Sequence, residues 1–488
     1  MKLKDIITNC NLLELIGNKD LEIDKVSFDS RNVAPGTLFF AVRGTQADGH
    51  AYIDSALDKG ASAVVCETLP KTLRDDVTYI RVDHSGYVLG VAAANFFGNP
   101  SRELKLTGVT GTNGKTTIAT LLYRLFSDAG YACGLLSTIE NIVDHEVVPS
   151  THTTPDPVEL NALLRKMVDH GCEYAFMEVS SHAVDQHRIA GLHFAGGIFT
   201  NLTHDQLDYH KTMANYRNAK KKFFDDLPAE AFALTNLDDK NGAVMLQNTK
   251  ARKLSYALKH DADFKGLVLE SHFDGMLMKV NNTELHTLLV GGFNASNILA
   301  IYGAAIALGF DHDELLVEIS KLHGANGRFD MVHSDTGIVG IVDYAHTPDA
   351  LENVLKTINE VIAQRSTLNA QLITVVGCGG NRDATKRPEM AAVAVKLSDK
   401  VILTSDNPRN EDPDEIIRQM KEGIAPDEMR KVLAITDRRE AIRTAVALAG
   451  KGDIILLAGK GHEDYQIIKG EKRHFDDKEE LAKALKEK

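Results

Sequence analysis

The chain of 488 residues has few cysteines and no long apolar segment. The five cysteines are scattered, odd in number and without Cys-x-x-Cys spacing, so neither a disulfide framework nor a zinc cluster is indicated. They are Cys10, Cys66, Cys133, Cys172 and Cys378. No apolar stretch approaches the ~18 residues of a membrane span, and the opening MKLKDIITNC lacks the apolar core of a signal peptide. We therefore expect a cytoplasmic protein without membrane insertion.

The chain also lacks an excess of positive charge. It has 55 basic and 68 acidic residues, with a formal charge of −13 at pH 7. This balance gives no overall attraction to nucleic acid, so an anionic substrate has to be bound by local groups. With this length and 43% hydrophobic residues, the chain is long enough for several domains, each with its own core.

A glycine-rich turn joins an apolar segment, 104–109, to an amphipathic helix pattern. Apolar residues recur along one face of that helix at Ile118, Leu121, Leu122 and Leu125. The turn itself is Thr110-Gly111-Thr112-Asn113-Gly114-Lys115-Thr116-Thr117. Its glycines let backbone amides face an anion, its lysine supplies a charge, and Thr116 offers a hydroxyl to magnesium. The turn predicts an ATP site, although Val109 replaces one glycine of the general motif; the alternative is an ordinary glycine turn.

The order of apolar runs and turn residues predicts an α/β protein of three domains. A small α/β domain is expected over 1–100, where Asn99-Pro100 marks the boundary. Over 101–330, strand-like runs alternate with helical patterns, which predicts a P-loop-type ATPase domain with a mostly parallel sheet. Over 331–488 a second alternation predicts a Rossmann-like, doubly wound domain. Its expected strands are 338–343, 371–376, 400–404, 431–436 and 453–458.

Polar side chains follow two apolar strands of the central part. Glu178 ends the first strand, and the ligands of open α/β sheets bind at this edge. Next to an ATP loop it becomes a candidate magnesium ligand; the alternative is a surface carboxylate. The segment 200–210 follows the second strand and is too polar for a core, so it is either a solvated loop or a metal-and-phosphate loop with His210 as a ligand. Helical charges alone would leave Lys220 on a solvated face.

Further polar groups follow the expected strands of the C-terminal part. Arg328 lies at the domain junction, where it either reaches nucleotide phosphates or forms an interdomain salt bridge. Three strand-end clusters would converge into a pocket with two guanidinium groups for a carboxylate and a carboxylate for an ammonium. The clusters are Gly377-Cys378-Gly379-Gly380-Asn381-Arg382-Asp383, Asp406-Asn407-Pro408-Arg409 and Gly459-Lys460-Gly461-His462-Glu463. Such a pocket suits an amino acid.

These motifs resemble those of the Mur ligase family over nearly the whole chain. The octet TGTNGKTT is typical of the superfamily, which also includes folylpolyglutamate synthases. Other motifs resemble the MurE type more narrowly: Asp29-Ser30-Arg31 with the segment 36–44, Thr153-Thr154-Pro155-Asp156, EVSSHAVDQHR at 178–188 and DYAHTPDAL at 343–351. Two departures occur, because Gln206 stands in the usual DHLD and Asp330 ends the usual GRxE. We assign Gln206 no catalytic role.

The resemblance implies an ATP-dependent amide ligase of peptidoglycan synthesis, with ATP as co-substrate and Mg²⁺ as cofactor. It would add meso-diaminopimelate to the D-glutamate of UDP-MurNAc-L-Ala-D-Glu through an acyl phosphate, and it would act as a monomer. The motif DNPR at 406–409 favours diaminopimelate over L-lysine. L-lysine addition, folylpolyglutamate synthesis and a non-catalytic nucleotide-binding relative are the alternatives.

The resemblance also implies roles for individual residues. Catalytic roles fall to Lys115, Glu178, His210, Lys220 and Arg328, and Lys220 matches a lysine that is carbamylated in the family. Metal ligands would be Thr116, Glu178, His210 and carbamylated Lys220. ATP would contact Gly111, Thr112, Asn113, Gly114, Lys115, Thr116, Thr117, Asn297, Arg328 and Asp343. The UDP-substrate would contact Ser30, Asn113, Thr153, Thr154, Ser180, Gln186 and Arg188. Diaminopimelate would contact Arg382, Asp406, Asn407, Pro408, Arg409, Gly459 and Glu463.

Overall fold

The structure is a computed structural model that describes residues 1–44, 47–150, 152–364 and 370–488, except the side chain of Asp208. Within these ranges the strands form three large sheets, each with helices against it, and one separate hairpin. Each large sheet takes its strands from its own range of the chain, 12–82, 105–287 or 330–458. The three-part α/β fold predicted from the sequence is confirmed. The exact boundaries near 100 and 330 stay predictions.

The N-terminal sheet has five strands in the order β1-β5-β4-β3-β2, with β1 antiparallel and the others parallel. Its elements are α1 (Leu3–Ile6), β1 (Leu12–Ile16), β2 (Lys25–Ser27), β3 (Thr37–Phe40), α2 (Ile53–Asp58), β4 (Ala61–Cys66), β5 (Thr78–Val82) and α3 (Ser85–Phe96). Strands β3 and β4 are apolar almost throughout because both faces are covered, one by α1 and α3 and the other by α2. Short 3₁₀ turns lie at Ser30–Asn32 and Gly49–Tyr52.

The central sheet has eleven strands in the order β16-β15-β14-β13-β12-β11-β6-β10-β7-β8-β9. Its elements up to the middle of the sheet are β6 (Lys105–Thr110), α4 (Lys115–Asp128), β7 (Cys133–Leu136), β8 (Glu140–Val143), β9 (Glu146–Pro149), α5 (Pro157–Asp169), β10 (Tyr174–Glu178), α6 (Ser181–Asp185), β11 (Gly196–Phe199), α7 (Leu207–His210) and α8 (Met213–Asp225). The rest are β12 (Phe232–Asn236), α9 (Gly242–Met245), β13 (Arg252–Ala257), β14 (Phe264–His272), β15 (Gly275–Val280), β16 (Thr283–Thr287), α10 (Gly292–Ala307) and α11 (His312–Lys321). Strands β7 and β10 to β14, together with β6, pair in parallel, whereas antiparallel pairs extend the sheet at both ends.

Helix α4 carries the predicted apolar stripe. Ile118, Leu121, Leu122 and Leu125 are fully buried in the core between the sheet and α10. Burial of each such side chain stabilises the fold by roughly 1.5–3 kcal/mol. The helix is therefore fixed against the sheet, with its N-terminus at the carboxyl end of β6.

The C-terminal sheet has six strands in the order β17-β18-β22-β19-β20-β21, all parallel except β17 at one edge. Its elements are β17 (Asp330–His333), β18 (Val339–Asp343), α12 (Pro348–Gln364), β19 (Leu372–Val376), α13 (Lys386–Leu397), β20 (Lys400–Leu403), α14 (Pro413–Lys421), β21 (Val432–Ala434), α15 (Arg438–Leu448), β22 (Ile454–Ala458) and α16 (Asp477–Glu487). The hairpin β23 (Tyr465–Ile468) and β24 (Glu471–His474) stands apart. All five strands expected here are present. In the described ranges we find no helix with the length and apolarity to cross a bilayer.

Candidate active site

The carboxyl ends of strands from the central and C-terminal sheets surround one cavity of about 1080 Å³. Most of the residues predicted for the site line it. They are Thr112, Asn113, Gly114, Lys115, Thr116, Thr153, Thr154, Glu178, Ser180, Arg188, Lys220, Arg328, Arg382, Asp406, Asn407, Arg409, Gly459 and Glu463. Motifs that are far apart in the sequence therefore meet in one place.

The turn after β6 has the geometry of a phosphate loop. Gly111 has φ 150°, and a Cβ there would lie 1.8 Å from Thr200 Oγ1, so a larger residue does not fit. Gly114 has φ 89° and immediately precedes α4, which begins at Lys115. The Lys115 ammonium donates to the carbonyls of Gly111 at 3.0 Å and Thr112 at 2.8 Å, and burial lowers its pKa. An anion at the start of α4 would meet backbone amides, the helix dipole and this lysine.

Residues after β11 hold the loop in shape. Thr200 Oγ1 donates to the Asn113 carbonyl at 2.6 Å, and Asn201 Oδ1 accepts from the Asn113 amide at 2.9 Å. On the other side, Asn297 of α10 lies behind the loop, since a Cβ at Gly114 would be 2.8 Å from its Oδ1. Asn297, Gly111 and Thr117, all predicted to contact ATP, lie outside the cavity lining.

Glu178 is not a surface carboxylate, because only 1% of it is exposed. Its Oε1 accepts from the Thr138 amide at 2.8 Å, whereas its Oε2 is buried and has no hydrogen-bond partner among the described residues. A buried carboxylate oxygen that lacks a donor carries a desolvation cost that a bound cation would remove. The cavity also receives the hydroxyl-bearing Thr116 at the start of α4.

Lys220 differs from the two lysines that follow it. Lys221 and Lys222 pair with Asp225 and Asp226, four residues further along the chain, at 2.6 Å each. Lys220 is 1% exposed, its Nζ donates to the Gly111 carbonyl at 2.7 Å, and it lies 4.7 Å from the centre of the Tyr216 ring. Burial, with a smaller effect of Lys115, lowers its pKa well below the usual lysine value. The solvated interpretation of Lys220 is therefore wrong.

The polar segment after β11 divides between buried and exposed groups. His210 is 5% exposed and does not reach the cavity lining; its Nε2 lies 2.9 Å from Ser181 Oγ, which does. Gln206 lines the cavity and donates to Asp205 at 3.2 Å. The metal role of His210 stays a prediction. In this conformation the imidazole contacts Ser181, which lines the cavity, and does not line the cavity itself.

Arg328 reaches across to the phosphate loop. Its Nη2 donates to Thr116 Oγ1 at 3.2 Å, and its guanidinium lies 4.5 Å from the centre of the Tyr344 ring. In the described part of the chain it forms no ion pair, so the salt-bridge alternative is not supported. Asp330, the departure in this motif, instead pairs with Lys478 at 2.9 Å.

Asp343 supports this junction from behind the cavity. It is 7% exposed, and its carboxylate accepts from the amides of Phe329 at 2.7 Å and Ala345 at 2.8 Å. Burial raises its pKa, against the opposing effects of Arg328 and the two amides. The carboxylate fixes the two segments that carry Arg328 and Tyr344.

The predicted amino-acid pocket forms at the ends of β19, β20 and β22. Glu463 accepts from Asn407 Nδ2 at 2.7 Å, while burial and the neighbouring Asp406 raise the pKa of Glu463. Arg409 Nη1 donates to the Gly380 carbonyl at 2.8 Å, and Arg382 lies in the same lining. The pocket therefore offers cations and carboxylates together, as an amino acid requires. Pro408 is not part of its lining.

The residues predicted for the UDP-substrate are only partly brought together. Arg188 donates to the Thr154 carbonyl at 2.9 Å and to Gln186 Oε1 at 2.7 Å, so Gln186 orients the arginine from outside the lining. Thr153 and Ser180 line the cavity near them. Ser30 lies in the 3₁₀ turn of the N-terminal domain and does not reach this lining.

Several cavity residues received no individual role from the sequence, although Asp205 and His462 lie in the candidate segments named above. Asp205 and Lys386 form an ion pair at 2.6 Å across the cavity, and Tyr344, His462, Tyr465 and Lys472 also line it. A sequence signal existed for Lys386, since a basic residue at the first position of a helix opposes the helix dipole. Tyr344 lies in the motif at 343–351, whereas Tyr465 and Lys472 carried no comparable signal.

Comparisons with known proteins agree with this arrangement. The chain matches the Mur ligase middle domain over residues 109–305, the Mur ligase glutamate ligase domain over 327–461 and the Mur ligase family catalytic domain over 22–97. Proteins named UDP-N-acetylmuramoyl-L-alanyl-D-glutamate--2,6-diaminopimelate ligase are 58% identical in Bacteroides fragilis and 59% identical in Phocaeicola vulgatus. The matches cover 99% of this chain and 98% and 99% of those proteins.

A solved structure of a protein with the same name is also similar. Its sequence is 34% identical, the match covers 100% of this chain and 99% of that one, and the TM-score is 0.70. Family models, full-length relatives and a solved structure thus agree with the resemblance found in the motifs. The chain belongs to the Mur ligase family.

Proposed function

We propose that the chain is an ATP-dependent amide ligase that joins meso-diaminopimelate to the D-glutamate of UDP-MurNAc-L-Ala-D-Glu in peptidoglycan synthesis. One observation carries the proposal: a phosphate loop and an amino-acid pocket with two arginines open into the same cavity. The names of the full-length relatives support the same substrates. They do not favour folylpolyglutamate synthesis or L-lysine addition.

The chemistry follows from the poor reactivity of a free carboxylate. The γ-phosphoryl group of ATP passes to the γ-carboxylate of D-glutamate, giving an acyl phosphate and ADP. The diaminopimelate amine then attacks the acyl carbon, the amide bond forms, and phosphate leaves. Lys115, the amides at the start of α4 and Arg328 neutralise charge on the transferring group.

The residues present fit Mg²⁺. Glu178 supplies a buried oxygen to which no residue that the structure describes donates, and Thr116 supplies a hydroxyl at the phosphate loop. Within the described residues, no three His, Cys, Asp or Glu side chains form a metal cluster, so phosphate oxygens would complete the ligand set. The bound ion would neutralise phosphate charge. His210 stays a proposed ligand that needs a rearrangement to reach the cavity.

Lys220 is proposed to be carbamylated, as the family resemblance implies. A lowered pKa increases the share of neutral amine, and only the neutral amine reacts with carbon dioxide. The product is an anion in place of a buried cation. The Lys220 carbamate would lie beside the Gly111 carbonyl and Lys115, and its oxygens would be ligands for a cation.

The amino-acid pocket explains the proposed preference for diaminopimelate. Arg409 and Arg382 would take carboxylates, and Glu463 would take an ammonium group. L-lysine lacks the second carboxylate, so it would leave one of these two guanidinium groups without its partner. The UDP-substrate would extend from Thr153, Thr154, Ser180 and Arg188 towards Ser30. We further propose that the enzyme is a cytoplasmic monomer.

The direct test is phosphate release by the purified protein with ATP, Mg²⁺, UDP-MurNAc-L-Ala-D-Glu and diaminopimelate. Release is expected only when all are present, together with a product whose mass equals the two joined substrates less water. Equal activity with L-lysine would overturn the specificity. ATP binding without any release would favour the non-catalytic alternative.

A further inference from the structure

Lys460 is a buried cation at the base of the amino-acid pocket. It follows β22, and none of its surface is exposed. Its Nζ lies 3.4 Å from Glu463 Oε2 and donates a hydrogen bond to the Tyr465 carbonyl. A buried ammonium group keeps its charge only when nearby polar or anionic groups compensate for its lost hydration. The lysine therefore connects two structures: the carboxylate of Glu463 and the start of the hairpin β23–β24.

The contact between Lys460 and Glu463 affects the pKa of the Glu463 carboxyl. Burial and the neighbouring Asp406 both raise the pKa of Glu463, whereas Lys460 and a hydrogen bond from Asn407 lower it. The Asn407 amide donates to the same oxygen that faces Lys460, at 2.7 Å. Glu463 can take a substrate ammonium only as a carboxylate, so the cation beside it favours the form that binds.

The contact between Lys460 and Tyr465 bears on the backbone conformation of Arg409, because the hairpin that begins at Tyr465 is hydrogen-bonded to Arg409. The Arg409 amide donates to the Ile467 carbonyl at 2.9 Å, and its own carbonyl accepts from the Lys469 amide at 2.6 Å. Its φ of 53° lies in the left-handed region, which a residue with a side chain occupies only when its surroundings hold it there. The hairpin is what holds it, and the hairpin begins at Tyr465.

We propose that Lys460 is a positioning residue for diaminopimelate, because it joins the carboxylate for the substrate ammonium to the hairpin that fixes the arginine for the distant substrate carboxylate. The inference rests on the proposed function. One buried side chain thereby sets both ends of the pocket. Specificity for a substrate with charges at both ends then depends on a residue that the substrate does not touch.

Other charged or titratable groups also act on Glu463. Arg438 of α15, Tyr344 after β18 and Tyr465 each interact with it electrostatically. All three, with Asp406, remain in a Lys460 variant. A change in pH dependence between parent and variant therefore reports the lysine.

The experiment compares the parent chain with Lys460→Met, which keeps the unbranched side chain at one atom less in length and removes its charge. We expect the KM for diaminopimelate to rise at least about 10-fold, with kcat and the KM values for ATP and the UDP-substrate within about 3-fold of the parent. Loss of the cation raises the pKa of Glu463, so the acid limb of kcat/KM for diaminopimelate moves to higher pH. Lys483→Met, an exposed lysine of α16, is the control and should match the parent.

Two outcomes overturn the inference. In the first, neither the KM for diaminopimelate nor the acid limb of its kcat/KM profile changes. In the second, the KM values for all three substrates rise in parallel, which indicates general damage to the site. A shift of the acid limb that disappears in the Glu463→Gln background supports it further. If Lys460→Met is insoluble, Lys460→Arg replaces it: the retained charge predicts the parent's acid limb, and a shifted limb contradicts the inference. A parent without diaminopimelate-dependent activity would instead refute the proposed function.

Discussion

The Lys386 ammonium lies 2.6 Å from the Asp205 carboxylate, across the cavity between the central and C-terminal sheets. Their side chains are only 17% and 10% exposed. Burial on its own would raise the pKa of Asp205, but Lys386, with smaller effects of His346 and Lys115, lowers it to about 2. The pair therefore links the two halves of the site for as long as Asp205 is ionised.

This pair predicts a pH-dependent contribution to stability. The folded pKa of about 2 lies below the ordinary value of 3.8, so the contribution is complete above that value and is lost as the pH falls through about 2. Its full size is about 2 kcal/mol. Urea unfolding of the parent and Asp205→Asn at a series of pH values should show a gap that narrows as the pH falls below about 4. A gap that stays constant to about pH 3 would contradict the assignment.

Lys115→Ala should abolish efficient catalysis without unfolding the protein. The Lys115 ammonium lies against the phosphate loop itself, where it would neutralise charge on the expected phosphates. Its removal should lower kcat/KM for ATP at least about 100-fold. Phosphate release and thermal unfolding are measured together, with the exposed Lys71→Ala as the matched control. Parent-like kinetics in Lys115→Ala would mean that the nucleotide binds elsewhere.

Glu178→Gln should change the requirement for magnesium. Glutamine keeps the shape and can still accept from the Thr138 amide, but it offers no anionic oxygen at the position of Oε2. The Mg²⁺ concentration for half-maximal activity should rise at least about 10-fold. The control is Glu173→Gln, which changes an exposed carboxylate just before the same strand. An unchanged magnesium titration would remove Glu178 from the metal site.

Arg409→Lys should weaken discrimination between diaminopimelate and L-lysine. A lysine in this position cannot reproduce a bidentate contact with a carboxylate. The KM for diaminopimelate should rise at least about 100-fold, while activity with L-lysine falls much less. Competition between the two amino acids measures the ratio, with Arg430→Lys at an exposed site as the control. A preserved ratio would place the specificity elsewhere in the pocket.

The sequence predicted the parallel strands well because each is an apolar run buried on both faces and followed by turn residues. It missed the antiparallel extensions β7–β9 and β14–β16 and the hairpin β23–β24. The exposed and buried positions of β14 nearly alternate, and its stability depends on its partner β15 rather than on its own composition. The hairpin, which holds Arg409, is half-exposed or exposed throughout.

The site residues also divide into those that the sequence indicated and those that only the structure shows. Glycines of the phosphate loop and polar groups at strand ends were predictable, because both follow from local sequence. Lys220 also had a local signal: with Tyr216, Phe223 and Phe224 it lies on the buried face of α8, at helical spacing. For Lys460 and for the pairing of Asp205 with Lys386, no local pattern indicated burial, because burial of a long charged side chain depends on segments that only the tertiary structure brings together.

The transfer of oxygen from the acid substrate tests the central claim most directly. UDP-MurNAc-L-Ala-D-Glu labelled with oxygen-18 in its γ-carboxylate is incubated with the protein, ATP, Mg²⁺ and diaminopimelate, and the released phosphate is analysed by mass spectrometry. An acyl phosphate requires that each turnover carry one labelled oxygen into phosphate. Unlabelled phosphate, formed along with the amide product, would contradict the account.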